Sequence, residues 1–360
     1  MTSDNMNDSY FRLDGQEIPP AADNSYSKVR LGGCGRTVLV HVASGIGNIV
    51  LATPLLLTLY ANDYIVDLLV DGDYPETAEL FDGWNILRAV YSGRTRQHTT
   101  GNYDIIIAAI PPFYWRGYAS RYDRVTNCIQ RPPDALFYRN EQAYYLEFAR
   151  ALGICMETAP PCYRLPAERF FCADPDTRTV VLAPGCKTGE MSAKRWPHFV
   201  ELANRFEHVA VVGTPDDLRF WGGSSMSFSG HCRMLAGQLT LRETAAVLAG
   251  ASVVVANDSG LGHLAAALGA ATIMLFGPTP DETLGPFPPN VTVLRSGFSC
   301  EPCWFTPRRF GACRRTVECL TALTVDSVVA AIIVQLKREQ ASAKANAFAT
   351  KEREKLGRAG

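Results

Sequence analysis

The stretch VVVANDSGLGHLAAALGAATIMLFGPT, Val253 to Thr279, gathers an acid, a hydroxyl, two glycines and a histidine between a strand pattern and a helix pattern. The strand ends at Asn257. Asp258 and Ser259 can cap the helix that follows, while Gly260 and Gly262 remove side chains around its first turn. Free backbone N–H groups and the helix dipole then point at whatever sits above, an arrangement suited to a phosphate. His263 lies in the first turn and can face the same space. FGPT ends the next strand at the same edge. The cap alone reads as an ordinary helix start with a core histidine. The whole run in register reads as a ligand site.

Four other stretches carry chemistry-bearing residues. In VASGIGNIVLATPLL, Gly45 and Gly47 stand between a strand-like and a helix-like run, where a glycine loop brings backbone close to a ligand. Asp71 and Asp73 form an Asp-x-Asp pair after a strand. Such pairs hold divalent metals in some proteins but are common in turns. The turn is the preferred reading, with no divalent metal expected at the site above. AIPPFYWRGYASRYDR mixes aromatics with Arg116, Arg121 and Arg124. It either lines a cleft that takes an anionic, sugar-rich molecule or is a loop packed by its own rings. Cys300, Cys303, Cys313 and Cys319 are spaced C-x2-C-x9-C-x5-C. One reading is a closed structural zinc or iron site; the other is four packed, reduced thiols.

The elements that must position these residues follow a βαβ rhythm. RTVLVHV, YIVDLLV, ILRAVY and YDIIIAAI read as strands, and EQAYYLEFARALG as a helix ending at Gly153. After a Pro- and charge-rich linker, RLPAERFFCADPDT, the rhythm restarts. TVVLAPG, HVAVVGT, SVVVAN and ATIMLFG read as strands. PHFVELANRF, a segment after Pro215, TLRETAAVLAGA, GHLAAALG and TVDSVVAAIIVQLKREQ read as helices. Thr240 and Glu243 carry a capping-box signature. The predicted fold class is α/β. A flexible extension spans 1–35, one Rossmann-like domain 36–165, a second 177–336, and a charged tail 337–360. In such sheets ligands bind outside the carboxyl ends of the strands, so the cleft between the domains is the expected site.

Bulk properties narrow the classes. The 360 residues suffice for two cores, and a net charge of -1 argues against a nucleic-acid binder. No apolar run reaches membrane-spanning length, and the polar start MTSDNMNDSYFRLDG is not a secretory signal. Eleven cysteines, mostly scattered, fit reduced thiols in a cytosol.

NDSGLGHLAAALG…FGPT resembles the donor-site signature of glycosyltransferase family 9, the bacterial heptosyltransferases. LAPGCKTGEMSAKRWPHF is similar to the family's strand, variable loop and Lys-x-Trp-Pro segment. GIGNIVLATPLL is similar to its N-terminal Gly-x-Gly-Asp loop. The resemblance runs from about Arg36 to Leu320. It implies a GT-B fold, with an N-terminal acceptor domain and a C-terminal donor domain facing across a cleft. The implied activity is inverting transfer of a sugar from a nucleotide diphosphate, commonly ADP-heptose, to a lipopolysaccharide core or related glycan. A protein or secondary metabolite is the alternative acceptor. The implied partners are the nucleotide sugar and a glycan or glycolipid. The protein is expected in the cytoplasm, with peripheral association at the inner membrane face, and no cofactor is required for transfer. Lys194 would contact the diphosphate, with Thr188 and Ser192 adding donors. Asp258 would bind sugar hydroxyls, and the N–H groups of Ser259, Gly260 and Leu261 would meet the diphosphate. Leu239 and Thr279 would lie near the nucleoside. Related protein heptosyltransferases that bind iron at such cysteines add to the metal reading.

One position departs from the family. Its loop carries an Asp as general base, and this sequence has Asn48 there. An amide cannot take a proton at neutral pH, and general-base help is commonly worth roughly 10²–10⁴-fold in rate. Asn48 positions an acceptor that is already nucleophilic, or another group such as Asp71, Asp73 or His98 supplies the base, or the protein binds a nucleotide sugar without turning it over. Intact donor-side motifs favour an active enzyme.

Overall fold

The structure is a computed structural model describing residues 35–93, 103–130, 135–155, 162–170, 179–187, 193–220, 224–304, 313 and 317–338. The chain alternates as the pattern predicts. The N-terminal unit comprises β1 (Thr37–Ala43), α1 (Ile46–Leu51), α2 (Thr53–Ala61), β2 (Ile65–Asp71), β3 (Leu87–Ser92), β4 (Ile105–Ala109), α3 (Trp115–Tyr122), β5 (Cys128–Gln130), α4 (Ala135–Arg139) and α5 (Glu141–Ala151). The C-terminal unit comprises β6 (Val180–Ala183), α6 (Phe199–Ala203), β7 (Val209–Val211), β8 (Arg233–Met234), α7 (Leu241–Ala249), β9 (Val253–Asn257), α8 (Gly260–Ala267), β10 (Thr272–Leu275), β11 (Val291–Leu294) and α9 (Glu318–Thr321). Residues 325–338 are helical after that.

Both sheets are parallel, ordered β3-β2-β1-β4-β5 and β11-β10-β9-β6-β7-β8. Each order reverses direction once, between β1 and β4 and between β6 and β9. At such a switch point the loops leave in opposite directions and open a crevice. The residues following β1, β4, β6 and β9 are therefore the ones the topology offers to a ligand.

Period-2 alternation assigns each strand face to a layer. On β1, Val38, Val40 and Val42 face a central core, while Leu39 and Ala43 face a smaller outer one under α3. On β9, Val254 and Ala256 face the central core, while Val253 and Val255 face a second outer core. The central core runs without a break from the N-terminal sheet through α2 and α5 to Leu264 of α8 and Leu248 of α7. The two units thus share one apolar interior.

Several elements differ from the sequence reading. The aromatic stretch after β4 contains a helix, α3, and the segment after Pro215 is one 3-10 turn over Pro215–Leu218. The short strands β5, β8 and β11 had no strong pattern. Thr240 and Glu243 do form the capping box of α7. The start of the expected linker is held to the C-terminal unit: Leu165 N–H donates to Ala267 O at 2.8 Å and Tyr163 is fully buried. The 1–34 extension and the tail beyond 338 lie outside the described residues.

Gly72 and Gly153 both take left-handed φ, +98° and +79°. A Cβ on Gly72 would lie 2.8 Å from Ser44 N, at the edge where β1 and β2 end, whereas one on Gly153 meets nothing within 4 Å. Gly153→Ala should therefore cost about 1–2 kcal/mol from backbone strain alone. Gly72→Ala should cost clearly more, because the β1 loop must also give way. Urea denaturation of the two variants checks the order; equal losses would contradict it.

Candidate functional site

The C-terminal half of the site is built by Asn257, the last residue of β9. Its side chain is buried. The Nδ2 group donates to Pro184 O at 2.6 Å, and Oδ1 accepts from Trp196 N–H at 3.0 Å. One amide thereby ties the loop after β6 to the AKRW segment. Trp196 is fully buried and its indole N–H donates to Leu323 O at 2.9 Å. Arg195 turns the other way, donating to Asp216 O at 2.8 Å and Arg219 O at 2.7 Å. With its neighbours anchored, Lys194 is left pointing at the head of α8. Its Nζ meets Asp258 Oδ2 at 2.9 Å.

Asp258 is almost completely buried, and His263 Nε2 lies 3.6 Å from its other oxygen. Burial opposes its ionisation, but the Lys194 charge and the His263 contact outweigh that and hold the carboxyl well below the usual range. His263 stacks on Phe287 and meets Tyr163 edge-on. Nearby, Ser259 Oγ, His263 Nδ1, Thr279 Oγ1 and Tyr163 OH are buried polar atoms without a hydrogen-bond partner among the described residues. Such atoms are costly unless a ligand or water completes them. Arg295 shapes the loop after β10. It donates to Gly277 O at 2.9 Å and to Thr279 O, and pairs with Asp281 at 2.8 Å. Leu239 precedes the cap of α7 and is half-buried.

The N-terminal half meets it head to head. A Cβ on Gly47 would lie 3.2 Å from the His263 ring and 3.5 Å from Gly260 Cα; one on Gly260 would lie 3.0 Å from Ile46 Cβ. The close approach at these two glycines is therefore between α1 and α8. Gly45 borders only the Asn48 side chain, at 3.5 Å, and Leu261 is half-buried beside α1. A Cβ on Gly262 would lie 3.0 Å from Asn257 O on β9 and 3.3 Å from Met274 on β10.

Asn48 is doubly held. Ser44 Oγ donates to its Oδ1 at 2.7 Å, and its Nδ2 donates to Glu141 Oε1 at 2.7 Å. Tyr145 OH donates to the same oxygen at 3.1 Å. Glu141 is 3% exposed. Burial pushes its carboxyl up to about 7, against the pull of the Asn48 and Tyr145 hydrogen bonds, and the charges of Asp258 and Lys194 both reach it. Its neighbours in the first turn of α5 pin the helix to the other unit: Asn140 donates to Glu282 O at 2.9 Å and Gln142 to Pro286 O at 3.0 Å. Sequence reasoning missed Glu141. An Asn cap followed by an acid is an ordinary helix start, and Asn48 is 93 positions away.

The remaining candidates are engaged elsewhere or lie outside the described residues. Arg121 pairs with Asp71 at 2.8 Å and lies over the Tyr118 ring; Arg116 is exposed. Against its own burial, Asp71 is held well below the carboxylate range by His41, the Gly72 N–H and Arg121. Across the cleft, Lys187 in the loop after β6 donates to Asp73 at 2.6 Å and to Tyr114 OH at 2.9 Å. That contact holds Asp73 down too, although burial opposes it. Thr188, Ser192 and His98 fall outside the described residues. Among the described residues no three His, Cys, Asp or Glu side chains are placed to hold a metal ion. Cys319 is buried in the second outer core with Cys303 and Cys313 packed at its edge, and burial first, then the neighbouring acid and thiols, pushes its thiol up to about 12.

Comparisons with known proteins agree with this geometry. Residues 142–313 match the model of glycosyltransferase family 9 (heptosyltransferase). The chain is 36% identical over 167 residues to lipopolysaccharide heptosyltransferase 1 of Pseudomonas aeruginosa, covering 43% of this chain and 44% of that one. It is 31% identical over 122 residues to lipopolysaccharide heptosyltransferase 2 of Salmonella typhimurium, covering 31% and 34%. The chain thus spans less than half the length of the curated relatives it matches. Among solved structures, a family 9 glycosyl transferase from Veillonella parvula superposes with a TM-score of 0.62 at 17% identity, covering 86% of this chain and 99% of that one. The ADP-heptose lipopolysaccharide heptosyltransferase II of E. coli superposes with a TM-score of 0.60 at 19% identity, covering 84% and 99%. A dodecameric iron-containing heptosyltransferase superposes with a TM-score of 0.59 at 16% identity, covering 86% and 78%. At these identities the superpositions speak for the fold, which is GT-B, with its two parallel sheets facing each other. The Gly45–Asn48 loop lies outside the matched stretch, while Lys194, Asp258, His263 and Thr279 lie inside it, so the similarity to glycosyltransferase family 9 rests on that C-terminal stretch.

Proposed function

We propose that the protein is an inverting glycosyltransferase that moves a heptose from ADP-heptose to a lipopolysaccharide core or related glycan in the cytoplasm. The observation that carries this reading is the Lys194–Asp258–His263 cluster at the head of α8, built from residues inside the family-matched stretch. As a nucleoside diphosphate leaves, one further negative charge develops on its terminal phosphate. The Lys194 ammonium and the N–H groups opening α8 would stabilise that charge, and they are fixed in place before reaction begins. The unpartnered Ser259, His263 and Thr279 atoms suit the polar edges of a nucleotide sugar. In the reaction, the acceptor oxygen attacks the anomeric carbon from the face opposite the diphosphate and inverts it.

A specific observation favours a second reading, a nucleotide-sugar binder without turnover: the family's base position holds the Asn48 amide. The identities of the sugar and the acceptor rest on the named relatives. No described helix is long and apolar enough to cross a membrane. A glycolipid acceptor would therefore be reached from the membrane surface.

Two outcomes are expected. ADP-heptose at about 100 times its Kd should stabilise the fold by roughly 2.7 kcal/mol, since it binds only the native state, and GDP- and UDP-sugars should shift the melting temperature far less. A thermal-shift screen checks this, and ADP released with glycan acceptors separates transferase from binder. Lys194→Ala should lower turnover about 10²–10³-fold and also destabilise the fold, because Asp258 loses its cation. Adding Asp258→Asn should restore stability in urea but not turnover. Full turnover in Lys194→Ala would remove the donor assignment.

A further inference from the structure

We propose that Glu141 takes the acceptor's proton and that Asn48 positions it for this, an inference that rests on the transfer reading above. The base expected on the glycine loop has moved one hydrogen bond away, onto the first turn of α5. Three independent features of the structure place it there. Asn48 Nδ2 reaches Glu141 Oε1 at 2.7 Å, so the carboxylate lies directly behind the side chain that would otherwise be the base. The flanking Asn140 and Gln142 anchor α5 to the loop 282–286 of the donor-side unit, fixing Glu141 at the meeting of the two halves. Its partner Asn48 belongs to α1, whose Gly47 closes on His263 and Gly260 of α8, so Glu141 lies beside the site that would hold the donor.

The amide at position 48 follows from this arrangement. Two carboxylates at hydrogen-bond distance cannot both ionise in a buried site. An acid at position 48 would leave the pair sharing a proton, whereas Asn48 donates to the Glu141 carboxylate and supports its charged form. Tyr145 supplies a second donor to the same oxygen. Among the described acids suggested by sequence, Asp71 is committed to Arg121 and Asp73 to Lys187. Both are thereby poor proton acceptors, while burial brings Glu141 into the range a base needs at neutral pH.

The step balances as follows. The acceptor hydroxyl oxygen forms its bond to the anomeric carbon. The bond from that carbon to the diphosphate oxygen breaks, and the nucleoside diphosphate leaves with the electron pair. The hydroxyl proton passes to the Glu141 carboxylate, directly or through one water beside Asn48, and is then lost to solvent.

The test is a base exchange in the full-length protein, read by ADP release with ADP-heptose and a glycan acceptor. Glu141→Gln should lower kcat about 10²–10⁴-fold with the donor KM nearly unchanged. The double variant Glu141→Gln/Asn48→Asp should recover most of that loss, because the carboxylate returns to the loop. In the unaltered protein kcat should rise with pH through about 7, and Glu141→Gln should abolish that limb. If Glu141→Gln fails to fold, the pH profile of the unaltered protein decides, and a flat profile overturns the assignment. Unchanged kcat in a folded Glu141→Gln overturns it too, as does a loss that Asn48→Asp does not recover. No turnover by the unaltered protein with donor bound removes the transfer reading itself, and this assignment with it.

Discussion

The two glycine-led helices α1 and α8 meet end to end, and the site follows from that contact. Each brings the positive end of its dipole and its first-turn N–H groups to the junction. Glycine at Gly47 and Gly260 eases the approach, because a Cβ on either would press on the other helix, 3.2 Å from the His263 ring or 3.0 Å from Ile46 Cβ. Concentrated positive potential in low dielectric needs compensating charge. Asp258 supplies it on one side and Glu141 on the other, both almost completely buried.

The two acids answer the same field differently. Asp258 has Lys194 at 2.9 Å and His263 at 3.6 Å, so it stays charged despite burial. Glu141 has only neutral donors, the Asn48 amide and the Tyr145 hydroxyl, and burial wins. One carboxylate is thus a fixed charge and the other is free to exchange a proton near neutral pH. Environment, not residue type, divides their roles.

The central core makes the division durable. The apolar interior passes from one sheet to the other without a solvent layer, and the Asn140 and Gln142 side chains clip α5 onto the opposite loop. The Lys187–Asp73–Tyr114 contact crosses the cleft at a more exposed point. An apolar union joins the halves, and a half-exposed polar contact adds to it.

Legible in the sequence alone were the alternation of strands and helices, the α/β class with its two parallel sheets, and the cluster at the head of α8. Those signals are local: Val253 to Thr279 is one continuous strand, loop, helix and strand, so spacing places Asp258, Ser259 and His263 on one edge. Short edge strands such as β8 escaped, because two residues carry no period. The helix α3 escaped because its aromatics and Gly117 resemble a loop. Only the tertiary structure decided what stands beside Asn48. Glu141 reads as the plain first turn of a helix, and its chemistry comes from burial and from partners brought from distant parts of the chain. Tertiary packing also decided that Cys319 is buried in an apolar core with Cys303 and Cys313 at its edge. Spacing constrains what is near in the chain, while burial and charge depend on what is near in space.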